Sequence, residues 1–369
     1  MDPKRITVYD IARKIGVSHV TVSLALRNDP RISQKRRVQV REAAREMGYR
    51  PDPLLASLAA YRRAGNPAKI QSVIAWVNHW EQPQQWRSCL EFDGYWRGAS
   101  EAAQACGYIL DEIRWPSDCP PKDYEQILLA RGVRGVLLPP HHKPPDWGDF
   151  DWARFSVIRF GMSVRSPDSN LVSADHSRAI IMAVAKIVEY GYRRIGFIVS
   201  DEYDQRLGGY FYGGFCSAQW MFHLNPALPP LTTLQKLHQS DPAAALETLR
   251  EWLLKHKPDA ILTAESLIVE MIKELGYRIP QDLAVAGTSV IDLPLDAGIN
   301  PRPGQIGRIA VEMLVRQMTL NERGVPAAPC RILVESHWQN GKSLPCRGQG
   351  RQGRGVERAV HLTGKLNKS

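Results

Sequence analysis

Strand-like and helix-like segments alternate along most of this chain, between residues 72 and 336. Short apolar runs such as residues 72–78 and 260–264 are typical of buried strands, whereas residues 178–192 place apolar side chains at helical spacing. A helix that follows each strand returns the chain to the same edge of the sheet, so successive strands pair in parallel. The alternation therefore predicts an α/β body of parallel sheets flanked by helices.

The number of predicted elements bears on the number of lobes. Strands are predicted at 72–78, 109–113, 135–140, 155–161, 194–200, 260–264, 283–289 and 329–336, and helices at 95–108, 124–132, 178–192, 212–222, 243–256, 267–277 and 306–320. One open sheet of ordinary size does not hold so many units, and 369 residues exceed one ordinary core. We therefore expect two similar lobes within residues 70–343.

The first fifty residues show a different pattern, which begins with two short helices joined by a tight turn. Apolar residues at helical spacing run from Val8 to Ile15, and Gly16 suits the left-handed backbone that such a turn requires. Ser18 is placed to cap the second helix. The inward positions of this helix are Val22, Ala25 and Leu26, and its outer face carries His19, Val20, Ser23, Leu24 and Arg27.

A third, basic helix follows, capped by Ser33 and ended by Gly48. Its apolar positions are Val38, Val40, Ala43, Ala44 and Met47, and its cations are Lys35, Arg36, Arg37, Arg41 and Arg45. Three helices with a glycine turn between the first two form a helix-turn-helix, whose second helix enters the DNA major groove. The alternative is a small three-helix packing unit with no role in DNA binding.

The net charge of +10 is concentrated at the two ends of the chain. Residues 1–63 hold 14 Lys and Arg against 6 Asp and Glu, and residues 345–369 hold 6 against 1, which leaves the middle slightly acidic. A basic head and a basic tail indicate polyanion binding at the ends rather than along the body.

Asp52 and Pro53 mark the start of a short helix that runs to about Tyr61. At this length a helix is only marginally stable in water and forms fully against a partner. Docking on the body as a plain linker is the alternative to a role in DNA binding.

With these features, residues 5–63 resemble the DNA-binding head and hinge of the LacI/GalR family of bacterial transcriptional regulators. The runs "ITVYDIARKIGVSHVTVSLAL" and "REMGYRPDPLLASLA" carry the resemblance. It implies a homodimer on a pseudo-palindromic double-stranded operator, with paired hinge helices in the minor groove. Leu55 and Leu58 would then belong to the DNA interface, with Leu58 as the wedge between base pairs.

Within the head, the side chains divide into two expected roles. His19 can hydrogen-bond a base edge, and Val20 and Leu24 can make only apolar contacts, for instance with thymine methyl groups. Phosphate or orienting contacts are expected from Thr7, Ser18, Thr21, Ser23 and Arg27. Because two of the base-facing positions are apolar where the family often has polar or basic residues, the operator sequence does not follow from the resemblance.

The resemblance also implies a two-lobed, periplasmic-binding-protein-like body that binds a small-molecule effector in a cleft. Ligands of parallel sheets bind beyond the carboxyl ends of the strands. The residues expected to contact the effector are Asn78, Trp80, Phe160, Arg206, Phe211, Glu265, Ser266 and Ser289.

Three of these positions depart from the family pattern. Phe211 stands where the sugar and nucleobase responders usually carry an arginine, Glu265-Ser266 stands for Asn-Asp, and Ser289 replaces an aspartate. Sugars and sugar derivatives are candidates by resemblance, but these changes predict an effector other than the commonest hexoses, or a regulator that has lost its response to one.

Signatures of enzymes, metal sites and membrane spans are not found in the sequence. The six cysteines lack metal-like spacing and are expected to be reduced, mostly buried thiols. The body has no G-x-G-x-x-G turn, P-loop or G-x-S-x-G elbow, so neither an enzyme nor a cofactor is expected. No apolar run approaches a membrane span, and the N-terminus has no apolar signal segment, which favours a cytoplasmic protein.

The predicted organisation has four parts: a helix-turn-helix head (1–50), a hinge helix and linker (51–69), the two-lobed body (70–343), and a basic, Gly/Arg-rich tail without a packed core (344–369). The predicted function is sequence-specific transcriptional regulation, with repression the commoner mode in the family. The alternatives are an architectural DNA-binding protein with an unresponsive body, and a ligand-binding or catalytic body with an incidental basic head.

Overall fold

The computed structural model describes residues 7–26, 30–47, 73–141 and 145–347. The hinge, most of the tail, and the predicted DNA contacts Arg27, Leu55 and Leu58 lie outside the described residues. The chain divides into two compact units, one of residues 1–88, 92–172 and 304–332, the other of residues 89–91, 173–303 and 333–369.

Three helices form the head, which is used below for residues 7–47: α1 (Val8–Ile15), α2 (His19–Leu26) and α3 (Gln34–Glu46). Gly16 ends α1 with φ 67°, in the left-handed region predicted for the turn. The buried residues of all three helices form one small core, Ile11, Ala12, Val22, Ala25, Val40, Ala43 and Ala44. Val38, in contrast, is 43% exposed, so its predicted apolar position on α3 is not part of this core.

Strands and helices alternate through much of the body. Its first half contains β1 (Val73–Asn78), α4 (Leu90–Ala105), β2 (Ile109–Arg114), α5 (Pro121–Ala130), β3 (Gly135–Leu138), β4 (Ser156–Phe160), β5 (Asn170–Ala174) and α6 (His176–Glu189). Its second half contains β6 (Ile195–Ile198), α7 (Asp201–Arg206), α8 (Tyr210–Met221), α9 (Leu234–Ser240), α10 (Pro242–His256), β7 (Ala260–Thr263), α11 (Ser266–Glu274), β8 (Ala284–Gly287), β9 (Gly298–Asn300), α12 (Pro303–Leu320), β10 (Arg331–Val334) and β11 (His337–Gln339). Strands β3, β4 and β5, however, follow one another without an intervening α-helix, as do β8 and β9, and β10 and β11.

These strands form two sheets, as the alternation predicts. The six-stranded sheet has the order β10-β5-β4-β3-β1-β2, and the five-stranded sheet has the order β11-β9-β8-β7-β6. The pairs β1–β2, β1–β3, β3–β4, β6–β7 and β7–β8 are parallel, whereas β11 is antiparallel to β9. The carboxyl ends of the central strands therefore meet at one edge in each sheet.

Helices cover both faces of the five-stranded sheet. Along β7, Ile261 packs in a core with α10 and α11, whereas Leu262 packs in a separate core with α6 and α8. Successive strand residues point to opposite faces, so this strand is buried on both sides. The continuous apolar run of residues 260–264 has its physical reason in this double burial.

Helices α4 and α12 approach closely at glycines. A Cβ atom added to Gly98 would lie 1.9 Å from the carbonyl oxygen of Gly304, and one added to Gly307 would lie 2.1 Å from the carbonyl oxygen of Tyr95. Both contacts are with backbone, which has no flexible side chain to move aside. The two helices can therefore pack at this distance only because glycine has no side chain at these positions.

Several elements were not predicted, namely β5, β9, β11, α7 and α9. Each has seven residues or fewer and lies among turn-forming residues. A segment of this length is too short to show a recognisable apolar period. The cysteine prediction was wrong in one respect. None of the six thiols is in a disulfide bond, but four are exposed, and Cys89 and Cys119 are only half-buried.

Candidate nucleic-acid interface and effector site

The first helix of the head begins with a reciprocal cap. The Thr7 hydroxyl and backbone N–H both donate to Asp10 Oδ2, at 2.6 and 2.9 Å, and the Asp10 N–H donates to Thr7 Oγ1 at 3.4 Å. Such a capping box satisfies donors that the first turn leaves unpaired. Thr7, a predicted phosphate contact, is exposed and held in place by this cap.

The second helix begins with another hydroxyl pair. Ser18 Oγ accepts the Thr21 N–H at 3.0 Å and lies 2.8 Å from Thr21 Oγ1. These bonds fix the amino-terminal end of α2, the end that a helix-turn-helix presents to the major groove. Both residues were predicted as phosphate or orienting contacts on DNA, and that role stays a prediction.

On the predicted outer face of α2, His19 is exposed, Val20 is 52% exposed and Leu24 is half-buried. The inward residues Val22 and Ala25 are fully buried, as the helical period predicts. Ser23 belongs to the same helix. Its exposure leaves Val20 accessible for the apolar base contact predicted for it.

Tyr9 is a candidate that the sequence reasoning missed. Its ring stacks on His19 with centroids 4.7 Å apart, and the tyrosine is 58% exposed. Tyr9 lies on α1 and His19 on α2, so the pair holds the imidazole from a neighbouring helix. The signal in the sequence that could have identified Tyr9 was an aromatic residue on the polar face of the first helix.

We expect Tyr9→Ala to weaken specific operator binding by about twofold to twelvefold, because a ring pair contributes about 0.5–1.5 kcal/mol and its loss frees the His19 imidazole to rotate. The head should stay folded, since Tyr9 is outside its core. Fluorescence anisotropy with an operator duplex measures the effect. Tyr9→Phe keeps the ring and is the matched control; an equal loss in both variants would show that the hydroxyl, not the stack, matters.

The third helix gives the head its positive charge. Lys35, Arg36, Arg41 and Arg45 are exposed on α3. One ion pair, Lys14 Nζ to Glu46 Oε2 at 2.8 Å, joins α1 to α3 at the surface. The exposed cations attract the phosphate backbone without reading sequence.

In the first unit, the predicted effector residues are occupied by contacts within the fold. Asn78 is 1% exposed, and its Nδ2 donates to Glu112 Oε1 at 2.6 Å and to the Pro83 carbonyl at 2.9 Å. Trp80 is buried and donates from Nε1 to the Pro140 carbonyl at 3.2 Å. Phe160 is fully buried. Their effector role stays a prediction.

In the second unit, two predicted effector residues bond to the segment that follows β6, one to Ser200 and the other to Asp204 on α7. The Ser200 N–H donates to Glu265 Oε1, and the Phe211 N–H donates to Asp204 Oδ1 at 2.9 Å. Burial raises the pKa of Glu265 above its ordinary value, and the Ser200 N–H opposes this rise. Residues beyond the carboxyl ends of β6 and β7 are thus brought together at one edge.

The remaining predicted effector residues are more dispersed. Ser266 begins α11 and Arg206 ends α7, both half-buried, and Ser289 is 8% exposed. The Ser289 hydroxyl has no hydrogen-bond partner within the described residues. A depression of about 430 Å³ in the same unit contains none of the predicted effector residues; it is lined by Arg250, Leu254, Leu275, Gly276, Tyr277 and Asp282.

The burial of a histidine just beyond β3 was also not predicted from the sequence. His141 is 2% exposed and its Nε2 accepts the His79 N–H at 3.0 Å. Burial, reinforced by the neighbouring His79, lowers the pKa of His141 to about 3. The imidazole is therefore neutral in the folded chain.

This histidine predicts a pH dependence of stability. In the unfolded chain a histidine has a pKa of about 6.5, so between pH 6.5 and pH 3 the unfolded state binds a proton that the folded state does not. The free energy of unfolding should fall as pH falls through this window. Urea denaturation at pH 7 and pH 5 measures it. His141→Gln should reduce this slope without abolishing it, because burial also lowers the pKa of His176, to about 4. His223→Asn at an exposed histidine controls for loss of one imidazole, and equal slopes in all three proteins would contradict the assignment.

Comparison with known proteins connects both parts of this chain to regulators. Residues 7–52 match the family model described as bacterial regulatory proteins, lacI family, and residues 184–344 match the periplasmic binding protein-like domain. The repressor CytR of Escherichia coli is 26% identical over 332 residues, which cover 85% of this chain and 89% of CytR. The repressor PurR of Haemophilus influenzae is 24% identical over an alignment that covers 86% of this chain and 93% of PurR.

Solved structures agree on the fold. The transcriptional regulator CelR in complex with cellobiose has a TM-score of 0.57 at 21% identity, over 92% of this chain and all of that chain. The lac repressor dimer bound to operator and an anti-inducer has a TM-score of 0.51 at 18% identity, over 93% and 100%.

A helix-turn-helix head followed by a periplasmic-binding-protein-like body defines the class of DNA-binding transcriptional regulators. The chain is similar to the LacI family of that class: the lacI family model matches its head, and CytR and PurR align along most of its length. Within the described part of the chain, no helix has the length and apolar character that crossing a membrane requires, and no group of three or more metal-ligating side chains is found.

Proposed function

We propose that this chain is a homodimeric repressor that binds a pseudo-palindromic operator and changes its operator affinity when a small molecule occupies the body. The observation that carries the proposal is the outer face of α2, where His19 and Val20 are exposed on a helix capped at its amino-terminal end. The exposed cations of α3 supply the sequence-independent attraction to phosphate. The protein would act in the cytoplasm, without catalysis or a cofactor.

Two identical heads read two half-sites, so the operator should have dyad symmetry with half-sites about one helical turn apart or a multiple of it. In the proposed arrangement residues 51–69 form the hinge between the head and the body at 70–343. Leu58 is the proposed wedge at the operator centre, and Leu55 lies beside it on the same predicted helix. Residues 344–369 supply at most a weak phosphate contact.

The proposed effector is a small polar molecule, with sugar derivatives as the first class to test, because CelR is a cellobiose complex in its solved structure. The common hexoses are not expected to bind, since Phe211, Glu265 and Ser289 replace the family's usual charged and amide groups. Isothermal titration with hexoses should therefore show no micromolar binding. Micromolar hexose binding would contradict this part of the proposal.

Selection from random DNA duplexes tests the proposed function. The full-length protein should enrich one dyad-symmetric motif, and its affinity for that motif should exceed its affinity for scrambled duplexes by at least about 10³-fold at physiological salt. Enrichment of no motif, together with a steep salt dependence on every duplex, would overturn the proposal and favour an architectural DNA-binding protein.

A further inference from the structure

Residues 79–88 of the first unit, called the plug segment here, turn back over the carboxyl ends of β1 and β2. Trp86 of this segment is 2% exposed and donates from Nε1 to Glu112 Oε1 at 3.2 Å. Arg87 donates to the other oxygen of the same carboxylate, Glu112 Oε2, at 2.8 Å. One carboxylate on β2 thus binds an indole N–H and a guanidinium from two successive residues.

The same guanidinium lies in an aromatic and acidic setting. Arg87 Cζ is 4.1 Å from the ring centroid of Trp86 and 5.0 Å from that of Trp96, and its Nη1 reaches Asp93 Oδ1 at 3.4 Å. Cations over indole rings are stabilised by the ring quadrupole, more so where water is excluded. Outside the plug segment, the groups around this cation are therefore the ring of Trp96 and the carboxylates of Glu112 and Asp93, which suit a positively charged ligand with an aromatic part.

The rest of this edge is also closed by contacts within the chain. Asn78, the last residue of β1, donates to Glu112 and to Pro83 of the plug segment. The ring of Trp76 on β1 lies 5.5 Å from that of Trp86. The carboxyl edge is where a parallel sheet receives a ligand, and here its polar groups bond to the chain itself.

We propose that the plug segment is an internal ligand: the Trp86 indole and the Arg87 guanidinium occupy the ligand-binding carboxyl edge of the first unit's sheet and mimic an aromatic cation. This inference rests on the proposed function, because it assigns the regulation of the same site. The intact chain then takes up no external ligand at this edge. Vacating the edge exposes Glu112, Asp93 and Trp96 to a molecule that combines an indole-sized ring with a positive charge.

The binding test uses the full-length double variant Trp86→Ala/Arg87→Ala and tryptamine, with indole-3-acetate as the anionic probe of the same ring. Isothermal titration should show tryptamine binding at least about tenfold tighter than indole-3-acetate, and no binding of either to the intact chain. Glu112→Gln added to the double variant should remove that preference. Equal binding of the two probes, or tryptamine binding at this edge in the intact chain, would overturn the proposal.

The regulatory test compares operator affinities, for which changes of about 5-fold to 150-fold are usual between coupled sites. The double variant should differ from the intact chain by about tenfold, and saturating tryptamine should restore the original value. Trp147→Ala removes another buried indole that donates one hydrogen bond, to Ser166, in the same unit, and it should leave operator affinity within about threefold. Equal shifts in both proteins, or none in the double variant, would overturn the proposal.

Circular dichroism establishes that the double variant is folded at the temperature of the titrations. If the double variant is not folded, the single variant Arg87→Ala is used, because it keeps the buried indole of Trp86. Arg87→Ala should shift operator affinity in the same direction, and an unchanged affinity would overturn the proposal. If the intact chain selects no operator, the proposed function fails, while the two-probe titration still decides whether the edge is built for an aromatic cation.

Discussion

Val22→Asp is expected to abolish specific operator binding while the body stays folded. Val22 is fully buried in the small core of the head, which contains seven buried residues within the part of the chain that the structure describes. An unpaired carboxylate placed there costs several kcal/mol, which approaches the whole stability of a domain of this size. Operator affinity measured by fluorescence anisotropy should fall by at least about 10³-fold, to the level of scrambled DNA.

Val20→Ala is the matched control, two residues away on the same helix. Val20 is 52% exposed, so the head should keep its stability, and the loss should be limited to about 1–3 kcal/mol of specific affinity with no change on scrambled DNA. Thermal unfolding followed by circular dichroism should show the body's transition unchanged in both variants. If Val22→Asp binds operator as the intact chain does, the head is not the DNA-binding part.

Gly98→Ala should produce the largest loss of stability in the body. The new methyl group would lie 1.9 Å from the Gly304 carbonyl oxygen, so α4 and α12 must separate. Overpacking commonly costs about 1–3 kcal/mol and costs more where backbone must move, so we expect at least about 3 kcal/mol. Urea denaturation measures the change in the free energy of unfolding.

Gly213→Ala on α8 is the control for the change from glycine to alanine in a helix. A Cβ atom at Gly213 would meet nothing within 4 Å, so the substitution should stabilise the chain by about 0.5–1 kcal/mol. Opposite signs at the two positions support close helix contact at Gly98. A stabilising effect of Gly98→Ala would contradict the described packing of α4 against α12.

The features that could be predicted from the sequence are those set by local chemistry. Hydroxyl caps at Ser18 and Ser33 bond to the helix ends as expected, and Gly16 adopts the left-handed conformation of the turn. Buried strands with continuous apolar runs, such as β7, were predicted because burial on both faces leaves no polar alternation. At these positions the local residue preferences and the apolar period both predict the structure that is found.

Features that depend on distant partners could not be predicted. The stack of Tyr9 on His19 joins two helices, and the bonds of Trp86 and Arg87 to Glu112 span 26 and 25 residues. Strand β5, with the sequence Asn-Leu-Val-Ser-Ala, is buried by its neighbours rather than marked by its own composition. Val38 has an apolar side chain at a helical position, but the small core of the head does not reach it.

The outer face of α2 is proposed to read the operator. Duplex selection run in parallel with the intact chain and with His19→Ala and Val20→Ala tests it most directly, because both residues are exposed and their loss should leave the head folded. Each variant should still enrich a dyad-symmetric motif, with base preference relaxed at one symmetric pair of positions. Identical motifs from all three proteins would contradict the claim.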